Sequence, residues 1–115
     1  MGRLTTHVLD TAHGRPAAGI PYTLTTADSA VPLAQGVTNA DGRCDKPLLE
    51  GAALKTGRYV LRFEVAAYFR AAGVQLSEPP FLDEISIAFG VADTAAHYHV
   101  PLLVSPWAYS TYRGS

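Results

Sequence analysis

The chain holds one cysteine, Cys44, among its 115 residues. An internal disulfide is therefore excluded, and a lone thiol suits a reducing compartment. Charge is scarce too: 17% of residues are Asp, Glu, Lys or Arg, with Lys+Arg 9 against Asp+Glu 10 and a net charge of -1. No basic run or stripe is present, which argues against a nucleic-acid partner. No apolar run approaches the roughly 20 residues that span a bilayer as a helix, so no membrane partner is expected. Met1-Gly2-Arg3-Leu4-Thr5-Thr6 contains no apolar signal segment, and a cytoplasmic location is the expectation. A Gly-x-Ser-x-Gly elbow and a phosphate loop are both missing. There are no internal repeats and no low-complexity tracts.

What is present is apolar: 48% of residues are hydrophobic. That supports one domain over residues 1–115 with a core of its own. The shortage of charge points to part of the surface being covered by other subunits. Short strand patterns dominate. Leu4–Asp10 reads as a strand with Thr5, His7 and Leu9 on one face and Thr6, Val8 and Asp10 on the other. Ile20–Ala27 and an interrupted Val31–Asn39 follow, separated by turns. Asn39-Ala40-Asp41-Gly42 is a strong turn signal, and Arg43 sits where the chain leaves it. Pro47–Gly51 is irregular chain or a short strand. Arg58–Ala66 alternates well, with Tyr59, Leu61, Phe63 and Val65 on one side. Ala66–Ala72, closed by Gly73, is the one good helix candidate. Ile85–Ala92, His97–Ser105 and Trp107–Arg113 complete the strands. About eight short strands and one helix predict an all-β, antiparallel β-sandwich, with a small closed barrel as the other architecture.

The final stretch, His97 to Ser115, carries the densest chemistry. His97 and His99 lie two apart on a strand, so both imidazoles leave one face. Three readings stay open from the residues alone. The pair can join His7 in a zinc site, which uses three protein ligands when catalytic. Two histidines can be exposed and inert. Or His99 and His7 can act without metal as base and orienter. Arg43 can fork onto two acceptors of a carboxylate or an oxo heterocycle, although a solvated turn arginine is the commoner case. Tyr112-Arg113-Gly114-Ser115 offers a phenol, a guanidinium, a hydroxyl and a carboxylate, and is expected to be docked rather than loose. Cys44 beside Arg43 is a candidate for a depressed pKa, but no base for it is identifiable. His13 reads as a surface turn residue.

Three of these stretches resemble one known family. Leu4-Thr5-Thr6-His7-Val8-Leu9-Asp10 looks like its N-terminal motif and Asn39-Ala40-Asp41-Gly42-Arg43 like its central arginine motif. His97-Tyr98-His99-Val100-Pro101-Leu102, Ser105-Pro106 and Tyr109-Ser110-Thr111-Tyr112-Arg113-Gly114-Ser115 look like its C-terminal signature. The family is the 5-hydroxyisourate hydrolases, also called transthyretin-like proteins, and the resemblance runs the full length. One small departure is Trp107-Ala108, where another aromatic and a small residue would be expected. The resemblance implies a transthyretin-like sandwich of two four-stranded sheets with one short helix. It implies a homotetramer, a dimer of dimers, with clefts at the dimer–dimer interface. The implied reaction is ring opening of 5-hydroxyisourate by water, with no metal and no cofactor. His7 and His99 would move protons, with the choice of base open. Arg43 would polarise the substrate. His97 would be a pocket residue and substitute base, while Tyr112, Arg113 and Ser115 would shape the pocket. A transthyretin-style carrier of a small aromatic ligand is the competing reading, and a zinc hydrolase a third.

Overall fold

The computed structural model describes residues 1–114. In chain order the strands are β1 (Arg3–Asp10), β2 (Arg15–Pro16), β3 (Pro21–Thr26), β4 (Ala34–Val37), β5 (Leu49–Glu50), β6 (Gly57–Glu64), β7 (Glu84–Val91), β8 (His97–Val104) and β9 (Tyr109–Thr111). A short 3-10 turn, Gly51–Ala53, precedes β6, and one helix, α1 (Ala66–Ala71), follows it. One sheet runs β4-β3-β6-β7 and is antiparallel throughout. The other runs β2-β1-β8-β9, with β5 also paired to β1. The sandwich is as expected, with two refinements. The second sheet has a fifth member because two-residue strands dock on opposite ends of β1. And β1 pairs β8 in parallel, so this sheet is mixed.

Alternation builds the core. Along β6, Tyr59, Leu61 and Phe63 are buried, with Val65 just beyond the strand. Opposite them β1 turns Leu4, Thr6 and Val8 inward, and β8 turns Tyr98, Val100, Leu102 and Val104 inward. Thr6 fits this apolar face because its hydroxyl donates to the Val100 carbonyl at 2.7 Å, tying β1 to β8. Asp10, also buried, accepts from the backbone N–H of Ala12 and His13, from His13 Nδ1 at 2.7 Å and from the Tyr68 hydroxyl at 2.7 Å. Burial alone would raise its pKa, but these bonds outweigh that and keep it low. His13 is the exposed turn residue expected, and its ring also clips the end of β1. Tyr68 carries the same clip to α1, whose Phe69 is buried in the core. The helix ends where Gly73 takes φ 89°, a conformation costly for other residues.

Phe63→Ala is expected to cost about 3–5 kcal/mol, since it empties the centre of the core. Val37→Ala, at an exposed position, is expected to stay within about 0.5 kcal/mol. Urea midpoints at one fixed protein concentration check both values, and equal midpoints would contradict this placement of the core.

Candidate active site

Because inward residues of β1 and β8 alternate with outward ones, Arg3, Thr5 and His7 share the outer face with His97 and His99. The parallel register sets Arg3 beside His97 and Thr5 beside His99. On the other edge of β1, the Asn39–Gly42 turn fills the space between β5 and β2. Asn39 Oδ1 accepts from the N–H of Asp41 at 2.9 Å and of Arg43 at 3.1 Å. Val8 N–H then donates to the Gly42 carbonyl at 2.8 Å. Gly42 is required here: φ is 74°, and a Cβ would lie 2.4 Å from the Val8 carbonyl oxygen. The docked turn pairs Arg43 with His7 as an isolated antiparallel bridge. Residues far apart in the chain thus meet on one face.

Hydrogen bonds set which ring nitrogens are available. His7 donates Nε2–H to the Asp41 carbonyl at 2.8 Å. A carbonyl can only accept, so neutral His7 keeps its lone pair on Nδ1. Thr5 Oγ1 lies 2.8 Å from His97 Nε2 and 2.8 Å from His99 Nδ1. His99 therefore presents Nε2 to its surroundings. A cleft of about 480 Å³ opens here, with Thr5, His97 and His99 on one wall and Arg43 and Lys46 on another. Arg3, Arg43 and Lys46 oppose the single carboxylate of Asp45 among its lining residues, a balance that favours an oxygen-rich or anionic ligand.

The same cations disfavour imidazolium. His7 is held below the ordinary 6.5 by burial first and then by the Arg43 charge. His99 is lowered by burial, then by Arg43, His97 and His7. His97 is lowered by burial and by Arg3. The neutral rings needed for a base role are thus favoured. The unfolded chain protonates these rings at higher pH than the folded protein, so their contribution to stability is lost as pH falls from about 6.5 through the lowered values.

Among the expected site residues, His7, Arg43, His97 and His99 are brought together. Tyr112 and Arg113 are placed differently within one chain. They line a separate cavity of about 220 Å³ with Ile87, Phe89 and Tyr98, and the Arg113 guanidinium stacks over the Tyr98 ring at 4.2 Å. Tyr98 alternates with the histidines and faces the other way. Gly114 returns to the histidine strand: its N–H donates to the His99 carbonyl at 2.8 Å, and a Cβ there would meet His99 Cδ2 at 2.8 Å. The expectation for Ser115 lies outside the described residues. Cys44 does not have the depressed pKa considered from its arginine neighbour. Burial pushes the thiol up, with a Tyr22 hydrogen bond opposing and Asp45 adding to the rise. Among the described residues, no group of three or more His, Cys, Asp or Glu could hold a metal ion; Thr5 engages one nitrogen on each β8 histidine. Thr5, Arg3 and Lys46 were not singled out by sequence. The shared face of Thr5 and His7 was the available signal for Thr5.

NMR titration of the ring protons is expected to place His7 and His99 below 6.5. Arg43→Ala removes a repelling charge, so both midpoints are expected to rise. Unchanged midpoints would contradict the proximity of Arg43.

The model of the HIUase/Transthyretin family matches residues 4–114. A 5-hydroxyisourate hydrolase of Ralstonia nicotianae is 60% identical over 117 residues, covering 100% of both chains. The crystal structure of an (S)-allantoin synthase superimposes with a TM-score of 0.93 at 44% identity over 99% of this chain, which spans 44% of that one. Sea bream transthyretin, solved in complex with thyroxine, gives a TM-score of 0.84 at 28% identity, covering 97% of this chain and 94% of its own.

Proposed function

The chain belongs to the HIUase/Transthyretin family, and from that we propose that it is a 5-hydroxyisourate hydrolase. It opens 5-hydroxyisourate to 2-oxo-4-hydroxy-4-carboxy-5-ureidoimidazoline on the path from urate to allantoin. The observation that carries this reading is the meeting of Arg43, His97 and His99 in one cation-lined cleft, with His7 bridged to Arg43 beside it, in a chain 60% identical to a protein of that name.

The chemistry follows from the free nitrogens. A bare imidazole nitrogen, His99 Nε2 or His7 Nδ1, takes a proton from water as its oxygen bonds to the amide carbonyl carbon. Negative charge then grows on the carbonyl oxygen, and Arg43 stabilises it. The carbon–nitrogen bond breaks, the nitrogen receives the proton back from the imidazolium, and the carbonyl carbon is left as a carboxyl group on the opened product. One water is consumed and no electron changes hands. His97 lies beside His99 as a pocket residue. Tyr112, Arg113 and Ser115 are assigned to shaping the pocket; the Gly114 bond to the His99 carbonyl supports this by drawing their segment alongside.

The chains assemble as a homotetramer, a dimer of dimers, that closes the cleft. Exposed Trp107, Tyr109 and Tyr112 around β9 support an apolar surface to be covered. The single thiol supports work in the reducing cytoplasm. Carriage of an aromatic ligand is the second reading, favoured by the likeness to transthyretin. Three neutral histidines beside a cluster of cations are poorly suited to that task.

Freshly generated 5-hydroxyisourate, followed by ultraviolet absorbance with and without chelator, tests the proposal. The wild-type protein is expected to accelerate decay equally in both. His7→Ala and His99→Ala are expected to lose about 10²–10⁴-fold in turnover, and Arg43→Ala about 10²–10³-fold. Decay at the spontaneous rate would overturn the hydrolase reading, and loss of activity on chelation would overturn its metal-free form.

A further inference from the structure

We propose that Thr5 is a positioning residue for the hydrolytic reaction: its hydroxyl accepts the Nδ1–H of His99, donates to Nε2 of His97, and so holds His99 Nε2 bare toward the cleft. The inference rests on the hydrolase reading and concerns how that site is prepared. The Thr5 hydroxyl lies 2.8 Å from each of the two ring nitrogens. It carries a single hydrogen, so it can donate to only one of them. At least one imidazole must therefore donate to it, and the bridge couples the tautomers of the two rings.

The direction follows from the base role open to His99. A base that accepts a proton at Nε2 must carry its other hydrogen on Nδ1. That hydrogen needs an acceptor, which Thr5 Oγ1 supplies. The hydroxyl hydrogen is then free for His97 Nε2. As His99 becomes imidazolium, its Nδ1–H bond to Thr5 strengthens, and His97 receives the polarised hydroxyl without taking up charge. No proton crosses the bridge. The opposite direction would place the hydrogen of neutral His99 on Nε2, making it a donor and leaving it without a lone pair for water. Threonine suits the position because its β-branch restricts χ1 in a strand. The cross-strand register then fixes the oxygen beside His99.

Nitrogen chemical shifts of the histidine rings, measured by NMR in the free wild-type protein at a pH where they are neutral, read the tautomers without substrate. Protonated Nδ1 and bare Nε2 on His99, with protonated Nδ1 on His97, are expected. Thr5→Val keeps the shape and removes the hydroxyl; mixed tautomers at His99 are expected, with kcat lowered about 10- to 100-fold, within what a positioned base contributes, and KM little changed. Thr5→Ser is expected to restore the wild-type tautomer and most of kcat. Protonated Nε2 on wild-type His99, or an unaltered tautomer and kcat in Thr5→Val, would overturn the proposal while wild-type turnover kept the hydrolase reading intact. A wild-type protein with the expected tautomers but no turnover would instead overturn the hydrolase reading, and with it the catalytic purpose assigned to the bridge.

Discussion

The parallel pairing of β1 with β8 is the constraint on which the site depends. It sets Thr5 opposite His99 and Arg3 opposite His97 along eight matched positions. A strand slip of one residue would reverse every side chain. Leu4, Thr6 and Val8 would leave the core, and Thr5 and His7 would enter it. The apolar inner face therefore enforces the position of the polar outer face. Thr6 reinforces the same register from within by donating to the Val100 carbonyl at 2.7 Å. Stability and site geometry rest on one set of contacts.

That arrangement also sets the electrostatics. Three imidazoles and the Arg43 guanidinium share one region, and each positive charge makes the next harder to add. A surface histidine would be part-charged near neutral pH; here burial and the arginine keep the rings ready to accept a proton. In the proposed mechanism Arg43 would act on the ground state by helping burial hold the bases neutral, and on the transition state by meeting the growing oxyanion. One side chain would thereby link the two halves of the proposed acyl-transfer mechanism. Its placement depends on Asn39 and Gly42, which shape a turn that docks on Val8 rather than projecting into solvent.

Much of this was legible in the sequence, for identifiable reasons. Alternation in Arg58–Ala66 and Leu4–Asp10 reports directly which residues share a face, and the folded strands keep both alternations. The helix was readable because alanine-rich chain ends at a glycine. Period-two alternation does not name a strand's neighbour, so the parallel partnership of β1 was hidden, and with it the meeting of Thr5 with both histidines. Asp10 looked like an ordinary strand residue; its bond to Tyr68 spans a long sequence separation. The last strand was read from Trp107, but Ser105 Oγ accepts from the N–H of Trp107 at 3.3 Å and of Ala108 at 3.1 Å. That local turn uses both residues, and β9 begins only at Tyr109. The resemblance of three motifs to one family supplied the reaction, which no spacing of residues would have named.

In the proposed mechanism His7, His99 and Arg43 surround one substrate. The most direct measurement is a crystal structure of the assembled protein with a non-hydrolysable oxopurine analogue. The analogue is expected in the cleft, with its oxygens on the Arg43 guanidinium and its ring within hydrogen-bond reach of His7 Nδ1 or His99 Nε2. An analogue bound away from these three side chains, with the cleft left to solvent, would contradict it.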